Sequence, residues 1–214
     1  MNFENEIYIY KMSWDAGIAP AVSNGLLSLA ICKPAIRNNA KPGDVIVGFA
    51  GAGMEMGRLL YFASVDKVLS GDAYYLDPGY ANRLDNAYGL GRGGRAIHKG
   101  EAFANYDESG LYLKRDIGRE KLLAKAKILL SRNFVYLGAE GTKDYLKVSN
   151  KLAFIESFGL GHGLLSGKPE ARRLLGLYLG DVLSKKGNGY AGIPTLKAEF
   201  KAYRAARGFY GKII

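Results

Sequence analysis

Residues 14–49 read WDAGIAPAVSNGLLSLAICKPAIRNNAKPGDVIVGF, and this stretch decides the expected fold. Lys41-Pro42-Gly43-Asp44 is a tight turn, because Pro presets one central position and Gly supplies the other. The run after it, Val45–Ala50, reads as a buried strand, and Arg58–Val68 reads as its hairpin partner across Gly51, Gly53 and Gly57. Before the turn, Pro34–Ala40 fits a short helix with Pro34 in its first turn. Gly25–Ile31 fits a short strand or a helical turn, and periodicity does not separate the two at this length. Residues 13–24 form a loop, and Glu6–Met12 opens the chain as a strand in which Ile7 and Ile9 alternate with Tyr8 and Tyr10. Polar side chains and turn chemistry this dense are typical of a binding loop on a scaffold.

Working outward, residues 70–108 alternate Gly and Tyr with charges and read as one long excursion, the kind of loop that carries function. Leu111–Lys114 reads as a returning strand. Arg119–Ser131 repeats Leu122, Leu123, Ala126, Leu129 and Leu130 at helical spacing, and Phe134–Leu137 reads as a strand. Lys151–Phe158 reads as a short helix. Pro169–Lys185 is the clearest helix, with Pro169 at its start and Gly187 past its end. A last helix is expected over Thr195–Arg207, capped by Thr195.

The chain has 214 residues and a formal net charge of +10. Residues 1–110 hold 10 Lys/Arg against 12 Asp/Glu, and residues 111–214 hold 20 against 8, so the whole excess lies in the second half. That asymmetry suggests a polyanionic partner. One cysteine excludes an internal disulfide and a Cys-based zinc site, and two histidines are too few for a His-rich metal cluster. No run is long and apolar enough to span a bilayer, and the acid-bearing N-terminus lacks a signal-type core, so a cytoplasmic setting is expected. The expectation is one domain over 1–214, with a β-rich part and long loop over 1–118 and a helix-rich basic part over 119–214. No cofactor and no metal are expected, and the sequence sets no oligomeric state.

The order of turn, strand and return strand in KPGDVIVGFA and RLLYFASVDKVLSGDAYY is similar to PUA-like and EVE-like domains, small β-barrels that hold a base in a cleft. A second resemblance covers more of the chain. Asp15-x-Gly17-x-Ala19-Pro20, Cys32-Lys33-Pro34-x-Ile36-Arg37, Gly43-Asp44-x-Ile46-Val47-Gly48 and Ile128-Leu129-Leu130-Ser131-x-x-Phe134-x-Tyr136-x-Gly138 resemble the nucleotide modification associated domain, type two. That family occurs in bacterial and phage genomes beside systems that modify bases. The resemblance implies a nucleobase, a nucleotide or modified DNA as the ligand, and it carries no settled reaction with it. The zone Gly91–His98 (GRGGRAIH) departs from the family's polar segment. The fold expected is α+β, a PUA-like, partly open β-barrel with a helical C-terminal half.

The candidate ligand-binding residues are Trp14, Asp15, Asn24, Lys33, Arg37, Tyr74 and Tyr75. Trp14 either stacks on a base or plugs the barrel end. Asp15 either accepts from a base edge or holds its own loop. Asn24 either reads a Watson–Crick edge or serves as a turn residue before Gly25. Lys33 and Arg37 lie four apart and share a helix face, where they would hold a phosphate or remain a solvated pair. Cys32 reads better as a small buried residue than as a nucleophile. Arg92 and Arg95 sit in a Gly-rich loop that lacks the Lys-Ser/Thr ending of a P-loop, so a basic loop closing over a nucleic-acid backbone is the better reading. Lys197, Lys201 and Arg204 form a basic stripe on the expected last helix. A rival class is an enzyme acting on modified nucleotides or bases, with Asp15, His98 or His162 as acid or base; a third is a protein-interaction module.

Overall fold

The computed structural model describes residues 1–99, 110–159 and 161–195, and within them the apolar runs of the N-terminal half pair as strands. The chain begins with β1 (Ile7–Met12), β2 (Ala21–Ser23), β3 (Leu26–Leu29), α1 (Pro34–Asn39) and β4 (Val45–Ala50). It continues through β5 (Leu59–Ser64), β6 (Lys67–Ser70), α2 (Gly71–Tyr75), β7 (Tyr88–Leu90) and β8 (Ala96–His98). The second half holds α3 (Leu111–Asp116), β9 (Lys127–Ser131), β10 (Asn133–Tyr136), α4 (Tyr145–Val148) and α5 (Phe154–Ser157). The last elements are β11 (His162–Leu164), α6 (Pro169–Lys186) and β12 (Tyr190–Ala191).

The fold is α+β, with three sheets. The largest has the order β11-β1-β4-β5-β10-β12, a second has β2-β3-β9-β6, and β7-β8 is a separate hairpin. β1 and β4 run parallel, with Ile7 opposite Val45 and Met12 opposite Ala50. β4 and β5 form the antiparallel hairpin expected from residues 45–68. The two larger sheets are joined by strands that turn a corner. β5 passes into β6 across Val65-Asp66, and β9 passes into β10 across Arg132. Asp66 pins that corner, accepting from the Arg132 amide at 2.5 Å and from Asn133 Nδ2 at 2.9 Å. The sheets fold against each other without joining at their outer edges, so no closed barrel forms among the described residues.

Alternation along β1 sets two cores. Ile7 and Ile9 face the layer that contains Leu175 and Leu179 of α6. Tyr8, Tyr10 and Met12 face the other way, into a core shared with Leu27 and Leu29 of β3, Leu129 of β9 and Tyr61 of β5. Gly48 is required on that face, since a Cβ there would sit 2.4 Å from the Tyr61 ring.

Two expected elements are corrected. Residues 119–131 are not a helix: Lys121 adopts a left-handed φ of 56°, a short 3₁₀ turn spans Leu123–Lys125, and β9 follows. Leu129 and Leu130 satisfy a helical period and a buried strand equally, and pairing of β9 with β3 and β6 decides for the strand. Leu111–Lys114 is the start of helix α3 rather than a strand. Residues 25–31 resolve as β3, and α6 spans the helix expected from Pro169. The expected helix Thr195–Arg207 lies beyond Thr195 outside the described residues.

Candidate functional site

The carboxyl end of β1 gathers the polar chemistry of the large sheet. Tyr10 is buried, and its hydroxyl meets the Tyr61 hydroxyl at 2.7 Å. Burial, reinforced by Tyr61, holds the Tyr10 phenol well above its ordinary range, so it stays protonated. Lys33 Nζ lies 4.7 Å from the centre of the Tyr10 ring and donates to the Lys11 carbonyl at 2.7 Å. Its backbone makes this possible: Cys32 and Lys33 take consecutive left-handed φ values of 58° and 45°, which turn the chain sharply from β3 into α1. Desolvation lowers the Lys33 pKa, opposed by Cys32. Trp14 follows β1 by two residues and is 36% exposed, so part of its side chain reaches the surface just past the strand's end.

His162 joins the same corner from the other side. It is exposed on edge strand β11, and its register partner is Tyr10. Directly opposed residues of an antiparallel pair share a sheet face, so the imidazole stands on the face that carries Tyr10. Lys11 points to the opposite face, buried, with Nζ 5.0 Å from the centre of the Phe158 ring and no hydrogen-bond partner. Desolvation lowers its pKa, and Glu156 opposes that shift.

Asp15 is wholly buried beneath Trp14. Its carboxylate accepts from the Tyr136 hydroxyl at 2.5 Å and from the Gly17 amide at 3.2 Å. Burial pushes its pKa up, and the Tyr136 hydrogen bond opposes the shift. In this structure Asp15 holds its own loop onto β10.

The other expected pocket residues lie elsewhere. Arg37 is buried, and its guanidinium donates to the carbonyls of Cys32 at 2.7 Å, Lys127 at 2.5 Å, Asp116 at 2.5 Å and Arg115 at 3.5 Å. It ties α1 to α3 and β9, and its donors are taken. Asn24 is exposed at the two-residue turn between β2 and β3, where Asn24 and Gly25 have φ values of 51° and 65°. Tyr74 and Tyr75 are buried in the small core around β7. The Tyr74 hydroxyl donates to Asp85 at 2.5 Å, inside a network in which Arg83 also bonds Ser28 and the Ala21 carbonyl. Tyr75 donates to the Ala30 carbonyl at 2.8 Å. Cys32 is half-buried and makes half of the Lys33 corner; desolvation raises its thiol to about 11.

Arg92 and Arg95 are exposed at the tip of the β7–β8 hairpin. His98 packs against Tyr88 with ring centres 4.8 Å apart, distant in the fold from His162 on β11, so the three expected acid–base residues do not assemble. Lys197, Lys201 and Arg204 lie outside the described residues. Tyr10, Tyr61 and Tyr136 were not singled out from sequence; the tyrosines alternating with isoleucines in β1 were the available signal. Among the described residues no group of three His, Cys, Asp or Glu is placed to hold a metal ion, and no helix is long and apolar enough to cross a membrane.

Comparison with known proteins gives one match. Residues 4–162 match the model of the family described as nucleotide modification associated domain 2. No curated protein and no solved structure matches significantly. The match covers well over half of the chain, which therefore belongs to the nucleotide modification associated domain 2 family.

Proposed function

We propose, with this family membership as premise, that the protein recognises a nucleobase or nucleotide at the corner formed by Trp14, Lys33 and Tyr10. A domain associated with nucleotide modification has a nucleotide-related partner. The observation that carries the reading is the Lys33 ammonium held over the Tyr10 ring of β1, with the partly exposed Trp14 two residues past the end of that strand. An indole stacks on any base, a contact worth roughly 1–3 kcal/mol. The ammonium supplies a charge for a phosphate, and the Asp15–Tyr136 bond holds the loop bearing Trp14 in place. A base reaches such a corner only when free, single-stranded or flipped, because a duplex hides its faces. The two sheets meeting at the Asp66 corner support a partly open, PUA-like arrangement as the scaffold.

Trp14 is the sole tryptophan, so its fluorescence reports on this corner alone. Titration with nucleosides, nucleotides and oligonucleotides carrying modified bases is expected to change that fluorescence and raise the melting temperature. Trp14→Ala should weaken binding about tenfold or more, the loss of one stacking contact. Lys33→Met should weaken nucleotides more than nucleosides. A panel that moves neither signal overturns the reading.

One observation favours a second reading. His162 stands across from Tyr10, so a bound base would lie beside an imidazole, the side chain most often used as a general acid or base. An enzyme would form product from the same panel, and His162→Ala would abolish turnover while retaining binding.

A further inference from the structure

Cations along the chain differ in whether a carboxylate holds them, and one group without such a partner clusters in the fold. Lys143, Lys147, Lys151, Lys185 and Lys186 each hold a carboxylate within ion-pair distance, with Glu156, Asp144, Glu170, Asp181 and Glu140 as partners. Arg92, Arg95, Arg115, Lys121, Lys125 and Lys127 hold none among the described residues, and all but the half-buried Lys121 are exposed. These six are neighbours in the fold. Arg95 bridges to Leu122, and the Ala96 amide donates to the Lys121 carbonyl at 2.8 Å, which joins the hairpin tip to the 121–127 segment. The single Arg37 guanidinium reaches the carbonyls of Arg115 and Lys127, which brings α3 against the start of β9. The exposed acid of residues 111–127 is Glu120, which forms no ion pair with these six cations. Asp116 is buried, accepting from the Cys32 amide and the Tyr88 hydroxyl at 2.7 Å each.

We propose that this face, from the tip of the β7–β8 hairpin across α3 to the start of β9, is a docking surface for the phosphodiester backbone of DNA. Arginines on a hairpin and lysines on a turn, left without carboxylates, suit a run of phosphates spaced along a strand better than one compact anion. Phosphate contacts position a nucleic acid without reading it, so this surface would hold the strand while the Trp14 corner selects the base. The inference rests on the nucleotide-binding reading; it keeps the expected Arg92 and Arg95 and adds Arg115, Lys121, Lys125 and Lys127 to them.

The test is fluorescence anisotropy of the full chain with a labelled 20-nucleotide single strand and its duplex, between 50 and 300 mM KCl. Wild-type affinity should fall steeply with salt. The variant Arg92→Ala/Arg95→Ala/Lys125→Ala/Lys127→Ala should lower affinity at least tenfold and flatten the log–log salt slope by about 3, because each lost phosphate contact removes roughly 0.7–0.9 from it. Lys147→Ala/Lys151→Ala/Lys185→Ala, drawn from the paired set, should leave both quantities near wild type. All seven side chains are exposed, and an unchanged melting temperature confirms that each variant folds. Equal loss in the two variants, or no loss in the first, overturns the proposal. Equal binding of heparin or anionic lipid vesicles, with the same slope, overturns the assignment to DNA. Absent DNA binding with intact nucleotide-induced Trp14 fluorescence overturns this surface and leaves the Trp14 corner standing; the converse result separates them the other way.

Discussion

At the scale of the residue, the informative groups are those whose charge is out of water. Asp15 has its pKa raised by burial, so the folded state prefers the protonated acid. Its contribution to stability is fully present below the unfolded carboxylate value and is lost as pH rises through the raised folded value. Asp15→Asn keeps an oxygen to accept from Tyr136 and Gly17 and removes the ionisation. The variant is therefore expected to gain on wild type as pH rises from 4 to 8, followed as the urea midpoint at each pH. A gap that widens towards acid would mean that the Tyr136 bond outweighs desolvation. Arg37 illustrates the opposite solution, a buried cation whose donors meet four carbonyls. Nothing in the string CKPAIR distinguishes that arrangement from a phosphate grip, since burial is set by α3 and β9, more than 70 residues away. Trp14 stands two residues past β1, a strand whose alternation sequence shows plainly; the burial of Tyr74 and Tyr75 leaves no such mark, because their hydroxyls meet Ser28, Asp85 and the Ala30 carbonyl, all distant in sequence or supplied by other elements.

At the scale of the element, the β2–β3 hairpin depends on its turn. Positive φ at both Asn24 and Gly25 is the arrangement of a type I′ turn, whose twist matches that of the strands it joins. Asn24→Gly should be close to neutral. Asn24→Val, a β-branched residue forced to positive φ, should cost at least about 1 kcal/mol, read as a lower urea midpoint. Neither should alter nucleotide affinity, because the turn projects away from the Trp14 corner; a tenfold affinity loss in either would return Asn24 to the site. Asn-Gly is a strong hairpin signal, yet the strands are only three and four residues long, too short for alternation to declare them. β1, β4, β5 and α6 were readable because each carries its period for six residues or more. Residues 119–131 carry a period that two structures share, and the left-handed Lys121 that rules out the helix leaves no mark in sequence.

At the scale of the whole molecule, the excess positive charge acts on stability as well as on binding. The net charge is +10, and six unpaired cations sit together on the hairpin–α3–β9 face while five lysines of the C-terminal half are already neutralised locally. Exposed pairs contribute little, about 0–1 kcal/mol each, so screening them removes little stability. Repulsion among the like charges of Arg92, Arg95, Arg115, Lys121, Lys125 and Lys127 acts over longer distances, because the screening length is about 30 Å at 0.01 M salt and about 8 Å at 0.15 M. Screening should therefore relieve more repulsion than it removes attraction. The melting temperature is expected to rise by a few degrees between 10 and 300 mM KCl, since about 1 kcal/mol corresponds to roughly 2–4 °C at this size. The Arg92/Arg95/Lys125/Lys127 alanine variant should lose most of that rise, because it lacks the charges whose repulsion salt relieves. A melting temperature that falls with KCl would mean that the paired lysines dominate the electrostatics of folding. It would also remove the premise that the hairpin–α3–β9 face holds uncompensated charge, which a phosphate backbone would otherwise neutralise in place of potassium chloride.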